Sequence, residues 1–141
     1  MGTYETHPGD GSASHTSILA SISDEMVRLY KEQFGRGPTR ARTHWAGADT
    51  IVVLLEDTLS PAERNLVRMG EHQRLRDTRM FFQYATVREF CEPVEQITGR
   101  KVRSFLSGID TEIGGLSTEV FVLYPEGYTG PSRTEIDDGE Q

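Results

Sequence analysis

The chain has 141 residues, of which 35% are hydrophobic and 26% charged, and its formal net charge is −7. That length suffices for one domain with one modest core. The acidic balance argues against a nucleic-acid binder, because such proteins gain affinity mostly by neutralising phosphates. The single cysteine, Cys91, excludes an internal disulfide and indicates a reducing compartment. No apolar run approaches the roughly 20 residues that span a bilayer, and no apolar leader is present, so we expect a cytoplasmic protein without direct membrane insertion.

Both ends of the chain differ in composition from its middle. Residues 1–14 are rich in Gly, Ser and Thr without apolar periodicity, which predicts a disordered arm. Residues 126–141 combine acidic side chains with Gly and Pro, which predicts a disordered acidic tail. Residues 15–125 are then left as a single folded domain.

Two stretches of the chain share one order of features, the first over Val27–Leu59 and the second over Phe90–Gly127. In each, an amphipathic helix ending in Glu-Gln is followed by Gly and Arg and by a basic strand. A turn containing Gly and Asp and an apolar strand come next. This repetition indicates a duplicated unit of one helix and two strands.

The first unit begins with a predicted helix over about Ser17–Phe34. Its apolar residues recur at helical spacing, and Gly35 ends it. Residues 39–46 and 50–56 then predict a hairpin whose turn is Gly47-Ala48-Asp49.

Helical character returns at Ser60-Pro61-Ala62-Glu63, a capping box with Pro at the first helical position, and persists into the second unit. As one rod this helix would be roughly 55 Å long, which exceeds the width of so small a domain. We therefore expect a break between about Tyr84 and Pro93, where Thr86 and Glu89 form a second candidate capping box.

A second hairpin, from 101–109 to 117–124, completes the order helix, strand, strand, helix, strand, strand. We predict an α+β fold in which the duplicated αββ unit gives a four-stranded antiparallel sheet with helices on one face. This is a permuted ferredoxin-like arrangement with an extra helical segment. The second strand of each unit should be central, because 51–55 and 120–123 are apolar on both faces. The first strands should be edges, where cations discourage pairing with other chains.

The helices can cover only one face of such a sheet. Alternate residues of the central strands would line the other face, giving a larger apolar surface than monomers usually expose. We expect a homodimer to cover it. The alternative is that the Ser60–Tyr84 helical segment folds back over that face.

The sequence carries none of the common catalytic or metal-binding motifs. The four histidines include no pair at metal-ligand spacing on a helix, and Cys91 lies in an apolar helical stripe. There is no serine nucleophile elbow, and Gly35-Arg36-Gly37-Pro38 follows a helix, where the amides that bind phosphate are not available. We predict a protein that is not an enzyme and that uses no cofactor or metal.

The least ordinary stretch is the arginine-rich segment Arg64–Tyr84. Within it, Arg74, Arg76 and Arg79 are candidate contacts for an anion or for a partner's acidic surface, because guanidinium groups bind carboxylates and phosphates in pairs of hydrogen bonds. The alternative is a solvated helix face with local ion pairs, such as Glu71 with Arg74.

A second basic cluster lies on the first strand, where Arg40 and Arg42 share one face with His44. These arginines are candidate anion or partner contacts, but protection of a sheet edge is the simpler explanation for them. RNA binding on such a sheet needs aromatic side chains on the central strands, and 50–56 has none.

Four stretches of the chain share their order and spacing with a known domain: ISDEMVRLYKEQFGRGPTRART, LEDTLSPAERNLV, RDTRMFFQYATVREFCEPVEQITGRKVRSFLSGIDTE and TEVFVLYP. On these, over about residues 18–125, the chain resembles the MpsC-like domain, a small prokaryotic domain. That family is named for a Na+-translocating, membrane-potential-generating system linked to inorganic carbon uptake. The resemblance implies a cytosolic accessory subunit beside an integral membrane transporter, and it carries over no ligand or catalytic residue.

We therefore interpret the chain as a non-catalytic accessory or regulatory domain that acts through protein–protein contacts, at a membrane ion or inorganic-carbon transport system. The alternative is a small-molecule or anion-binding sensor, although fold alone does not establish function. An enzyme of unrecognised type is a third hypothesis. It would require a cleft with two mutually oriented titratable groups.

Overall fold

A computed structural model of the chain describes residues 11–135, with side chains from residue 17 onward. In chain order its elements are α1 (Gly11–Phe34), β1 (Arg40–Trp45), β2 (Thr50–Glu56), α2 (Pro61–Arg68), α3 (His72–Ala85), α4 (Val87–Thr98), β3 (Val102–Asp110), β4 (Leu116–Leu123) and a 3-10 turn (Arg133–Glu135). The predicted arm residues 1–10 and tail residues 136–141 lie outside the described part.

The strands form one antiparallel sheet in the order β1-β2-β4-β3. This confirms the predicted α+β fold, with the second strand of each unit in the middle and the basic strands at the edges. The order is compatible with a permuted ferredoxin-like arrangement. Burial explains which strands are central, because the two central strands are the ones whose residues are apolar on both faces.

The core lies on one face of the sheet. On β2, Ile51, Val53 and Leu55 are buried, whereas Val52 and Leu54 between them are half-buried and point to the other face. Strands β3 and β4 add Val102, Phe105, Phe121 and Leu123 to this core. Helices α1 and α4 supply the other core side chains: Ile22, Met26, Leu29, Tyr30, Val87, Phe90, Cys91 and Val94.

The helical region between the two units is divided into three helices. The capping box at Ser60 is confirmed, since its hydroxyl accepts from the Glu63 amide at 3.2 Å and the Glu63 carboxylate accepts from the Ser60 amide at 2.8 Å. The predicted break occurs at Thr86, between α3 and α4. The second capping box does not form, because the Thr86 hydroxyl donates to the Phe82 carbonyl at 2.8 Å. A further break falls at Gly70, between α2 and α3.

The helical segment after Ser60 does not fold over the open face of the sheet. From α3, Arg79 reaches Ser117 and Gln83 reaches Glu119, and both partners are buried on the face that α1 and α4 cover. The fold-back alternative is therefore wrong. The homodimer stays a prediction.

The ends of the folded domain lie further out than predicted. Helix α1 begins at Gly11, inside the expected arm. The expected tail is ordered as far as Glu135, because Arg88 of α4 donates to the Thr134 carbonyl at 2.8 Å and Lys101 to the Gly130 carbonyl at 2.7 Å. Ser132 is 1% exposed there. Composition did not predict that residues 126–135 belong to the folded domain, because polar contacts rather than apolar side chains hold them there.

The β3–β4 turn passes close to the start of α2, and this predicts a large penalty for Gly115→Ala. Gly115 has φ +85°, and an added Cβ would lie 2.7 Å from Leu59 Cγ. Backbone strain and crowding together should lower the free energy of unfolding by about 2–4 kcal/mol, measured in urea. Gly47→Ala is the control, since Gly47 has φ +96° but open space around it, and should cost only about 1 kcal/mol. Equal losses would contradict the packing argument.

Candidate functional site

Helix α3 buries polar side chains and exposes apolar ones, which is the reverse of an ordinary surface helix. Its buried stripe follows the helical spacing Leu75, Arg79 and Gln83, so two of its three inward positions are polar. Its outward side carries apolar residues: Met80 is 50% exposed, Phe81 68%, Phe82 45% and Tyr84 38%. Tyr84 also ties the helix to the edge of the sheet, where its hydroxyl accepts from the Ser107 amide at 3.1 Å.

Arg79 is held in the interior by a fork-to-fork ion pair. Its Nε lies 2.6 Å from Glu63 Oε2 and its Nη2 lies 2.8 Å from Glu63 Oε1 and 2.6 Å from the Thr58 carbonyl. The guanidinium carbon lies 4.0 Å from the centre of the Phe34 ring. Burial alone would raise the pKa of Glu63, but hydrogen bonds from Arg79 and from the Ser60 amide, with the Arg79 charge, lower it below its ordinary value. The arginine is therefore fully paired.

Beside this pair lies a buried carboxyl group, Glu119, on the central strand β4. Its Oε2 accepts from the Tyr30 hydroxyl at 2.5 Å and from Gln83 Nε2 at 2.7 Å. Burial raises the pKa of Glu119 to about 8, and Tyr30, Ser107 and the Arg79 charge oppose that rise only partly. The group is thus mostly protonated at neutral pH.

The second oxygen of Glu119, Oε1, is buried without a hydrogen-bond partner. Glu119 is paired in register with Ser107, whose buried hydroxyl is outside hydrogen-bond geometry but close enough to lower the pKa of Glu119. A protonated Glu119 can use this oxygen as the O–H group. Because Glu119 is wholly buried, the role that this geometry supports is to position Gln83, and with it α3.

The structure separates the arginines that the sequence placed together. Arg79 is 1% exposed and so is not available to a partner or a free anion. Arg74 is exposed and pairs with Glu71 at 3.3 Å, and Arg76 is half-buried and lies 3.4 Å from Gln73. These local pairs are the contacts that the alternative of a solvated helix face predicted.

The second basic cluster lies on β1, at the other edge of the sheet from the strand that α3 contacts. Arg40 is exposed there, and Arg42 pairs with Glu56 at 2.7 Å. Arg40 and Arg42 therefore do not join Arg74 and Arg76 in one site.

Sequence reasoning missed the exposed apolar side of α3 and the buried Glu119. The run Met80-Phe81-Phe82 has the composition of a core segment, and only the Leu75, Arg79, Gln83 spacing could have indicated the true inward face. For Glu119 the signal was its alternation with Phe121, a buried position two residues later on the same strand.

The described part of the chain also bears on metal binding, on the chemistry of Cys91 and on membrane spanning. No group of three or more His, Cys, Asp and Glu side chains in residues 17–135 is arranged to hold a metal ion. Burial, followed by the nearby charge of Glu95, raises the pKa of the Cys91 thiol to about 12, which keeps it from acting as a thiolate nucleophile at neutral pH. None of the described helices has the length and hydropathy to cross a bilayer.

Glu119→Gln should remove one component of the pH dependence of stability. The folded protein keeps the proton up to pH about 8, whereas the unfolded chain releases it near 4.5. The folded state therefore binds more protons between these values, and stability falls as pH rises through that window by up to about 1.4 kcal/mol per unit. Urea unfolding across pH 5–9 (about 4 units) measures this dependence of the free energy of unfolding on pH.

The variant should show a flatter profile and higher stability at alkaline pH, because a glutamine amide imitates the protonated acid. Glu126→Gln, at an exposed carboxylate, is the control and should follow the parent profile. Parallel profiles for the parent and Glu119→Gln would contradict a raised pKa.

Arg79→Gln should destabilise the fold severely, because it leaves the Glu63 carboxylate without its buried counter-charge. Loss of one partner of a buried pair costs about 3–5 kcal/mol. Arg74→Gln, on the exposed side of the same helix, should change the free energy of unfolding by about 0.5 kcal/mol or less. Denaturant titration of both variants measures the difference. Similar values would show that the Arg79–Glu63 pair does not hold α3.

Comparison with known proteins adds one result to this geometry. No curated protein sequence and no solved structure matches the chain. Residues 14–124 match the family described as Na+-translocating membrane potential-generating system (MpsC). The match covers almost all of the domain, from α1 to the end of β4, and agrees with the resemblance found in the sequence. The chain belongs to the MpsC family.

Proposed function

We propose that this protein is a non-catalytic accessory or regulatory domain that acts through protein–protein contacts at the cytosolic side of a membrane. Its partner is a membrane component of the Na+-translocating, membrane-potential-generating system for which the family is named. The observation that carries the proposal is the outward side of α3, where Met80, Phe81 and Phe82 are exposed while Arg79 and Gln83 are buried.

The exposed side of α3 has the composition of a contact surface. Arg74 lies seven residues before Phe81 and Arg76 four residues before Met80, so each arginine shares a helical stripe with an exposed apolar side chain. Aromatic residues, Met and Arg are the types enriched in protein interfaces. A matching partner would offer apolar pockets flanked by carboxylates.

A protein partner fits this surface better than the lipid bilayer itself. The chain has a net charge of −7, and the cytoplasmic leaflet is negatively charged, so the protein as a whole is repelled from it. The fixed position of α3 also favours a protein partner, because Arg79 and Gln83 hold the helix against the sheet before any contact is made.

The test is co-purification from gently solubilised membranes of the native host. The parent protein should recover a multispanning membrane protein in fixed stoichiometry, and Met80→Gln with Phe81→Gln should reduce that recovery at least about tenfold, since central aromatic contacts are each worth about 2 kcal/mol or more. Ile113→Gln is the matched control: Ile113 is 99% exposed but lies in the β3–β4 turn, and its change should leave recovery unaltered.

Two results would contradict the proposal: equal recovery by the α3 variant and the parent, or flotation of the purified protein with protein-free anionic vesicles. Far-ultraviolet circular dichroism and melting temperature show that each variant is folded, so lost recovery is not lost structure.

A second candidate function, a small-molecule or anion sensor, is favoured by a pocket of about 520 Å³ beside the β1–β2 turn. Arg100 lines it, but its guanidinium already pairs with Asp49 at 2.5 Å and with the Tyr124 carbonyl at 2.7 Å. The one arginine of the pocket is thus engaged, so the contact role stands first. A rise in melting temperature with small anions or nucleotides would favour the sensor.

A further inference from the structure

The face of the sheet opposite the helices is apolar at its centre. Val52 and Leu54 of β2 and Val120 and Val122 of β4 point to it and are half-buried, and Leu106 of β3 is 53% exposed. Helices α1, α3 and α4 all pack on the other face. An apolar surface that spans three adjacent strands is typical of an interface.

Two arginines border this face along one edge. On β1, Arg40, Arg42 and His44 alternate with Thr43, which is buried toward the core, so these three side chains share the open face. Arg42 is already paired with Glu56 of the neighbouring strand, and Arg40 is exposed.

The opposite edge carries an acid in the same row. Arg40 pairs in register with Glu56 on β2, and Asp110 of β3 pairs with Leu116 on β4. Because Leu55 pairs with Ser117, Glu56 and Leu116 are also level with one another. One row across the sheet therefore begins with Arg40 and ends with Asp110, which is exposed.

We propose that a second copy of this chain covers the open face, in a two-fold dimer whose axis runs parallel to the strands. Rotation about such an axis brings β1 of each copy over β3 of the other while keeping the rows level. Arg40 of one copy then meets Asp110 of the second copy, and the symmetry makes the contact twice. The apolar centres of the two sheets lie against each other between these contacts.

The charges select this axis over the other two-fold arrangement. An axis across the strands would place β1 over β1, and Arg40 and Arg42 of both copies would then meet at one edge. Like charges placed together across an interface cost several kcal/mol. The axis parallel to the strands replaces that repulsion with two opposite-charge contacts. It also corresponds to the aligned packing of two sheets, about 10 Å apart and turned by about 30°.

The mass in solution tests the dimer. Light scattering at micromolar concentration should give twice the 15.8 kDa chain mass for the parent. Val120→Lys places a charge at the centre of the face and should give the monomer mass with little change in melting temperature. Leu106→Lys, at a mostly exposed position of an edge strand, serves the same purpose if Val120→Lys fails to fold. Ile113→Lys, in the turn, should stay dimeric.

A charge exchange tests the axis. Arg40→Asp and Asp110→Arg should each weaken dimerisation at least about tenfold, equivalent to about 1.4 kcal/mol, and the double exchange should restore it. Asp110→Asn is a milder control, since its amide oxygen can still accept from the Glu112 amide, as Asp110 does at 3.0 Å.

A folded parent that is monomeric, or a dimer that survives Val120→Lys and Leu106→Lys, would overturn the proposal. If neither Arg40→Asp nor Asp110→Arg weakened dimerisation, the proposed axis would be wrong. This dimer is independent of the proposed function, because α3 lies on the helix-covered side of the sheet. Val120→Lys should therefore leave co-purification through Phe81 intact, and the two proposals fail separately.

Discussion

The ion pair between Arg79 and Glu63 is the interaction on which the arrangement of this domain depends. It joins three parts of the chain: the capped start of α2, the middle of α3 and the Thr58 carbonyl just after the central strand β2. A buried pair of this kind gives little net stability compared with a well-packed apolar pair, but leaving either charge alone is expensive. The main effect of the pair is therefore to fix how α3 is oriented. It allows one rotation of α3 about its axis.

The rotation of α3 explains both its inner and its outer side. With Arg79 turned inward, Gln83 follows one turn later and meets Tyr30 and the neutral Glu119. The large apolar residues between them are then left outside, on the side that faces solvent in the single chain. The domain thus retains polar groups in its interior while presenting Phe81 outward. Polar groups that are buried and paired in this way specify one geometry, since any other leaves a charge or an amide unsatisfied.

The two surfaces that we propose as contacts lie on opposite sides of one sheet. The outward side of α3 belongs to the helical layer, and the dimer face is the bare side of the central strands. A dimer built on the bare side would present two copies of α3 at its outer surfaces, and a membrane partner could engage either. Linked binding of two such sites raises apparent affinity without any new contact, provided that the partner's geometry allows both to engage.

The repeated pattern of helix, basic strand and apolar strand was enough to predict the α+β fold and the strand order, and the Ser60–Glu63 motif predicted the capped start of α2. These features follow from local rules of periodicity, capping and burial, each of which acts within a few residues. The direction in which α3 faces could not be predicted that way. By composition, Met80 and Phe81 would be expected inside and Arg79 outside. The structure places them the other way because Arg79 pairs in the interior with Glu63, which lies sixteen residues earlier in the chain.

The ordered segment before Glu135 was missed for the same reason, since its contacts with Arg88 and Lys101 join residues distant in sequence. The sequence by itself therefore determined the four strands, their order and the main helical regions. Only the tertiary structure decided which polar groups are buried and which apolar groups are exposed, because a buried charge is tolerated only where the fold supplies its partner.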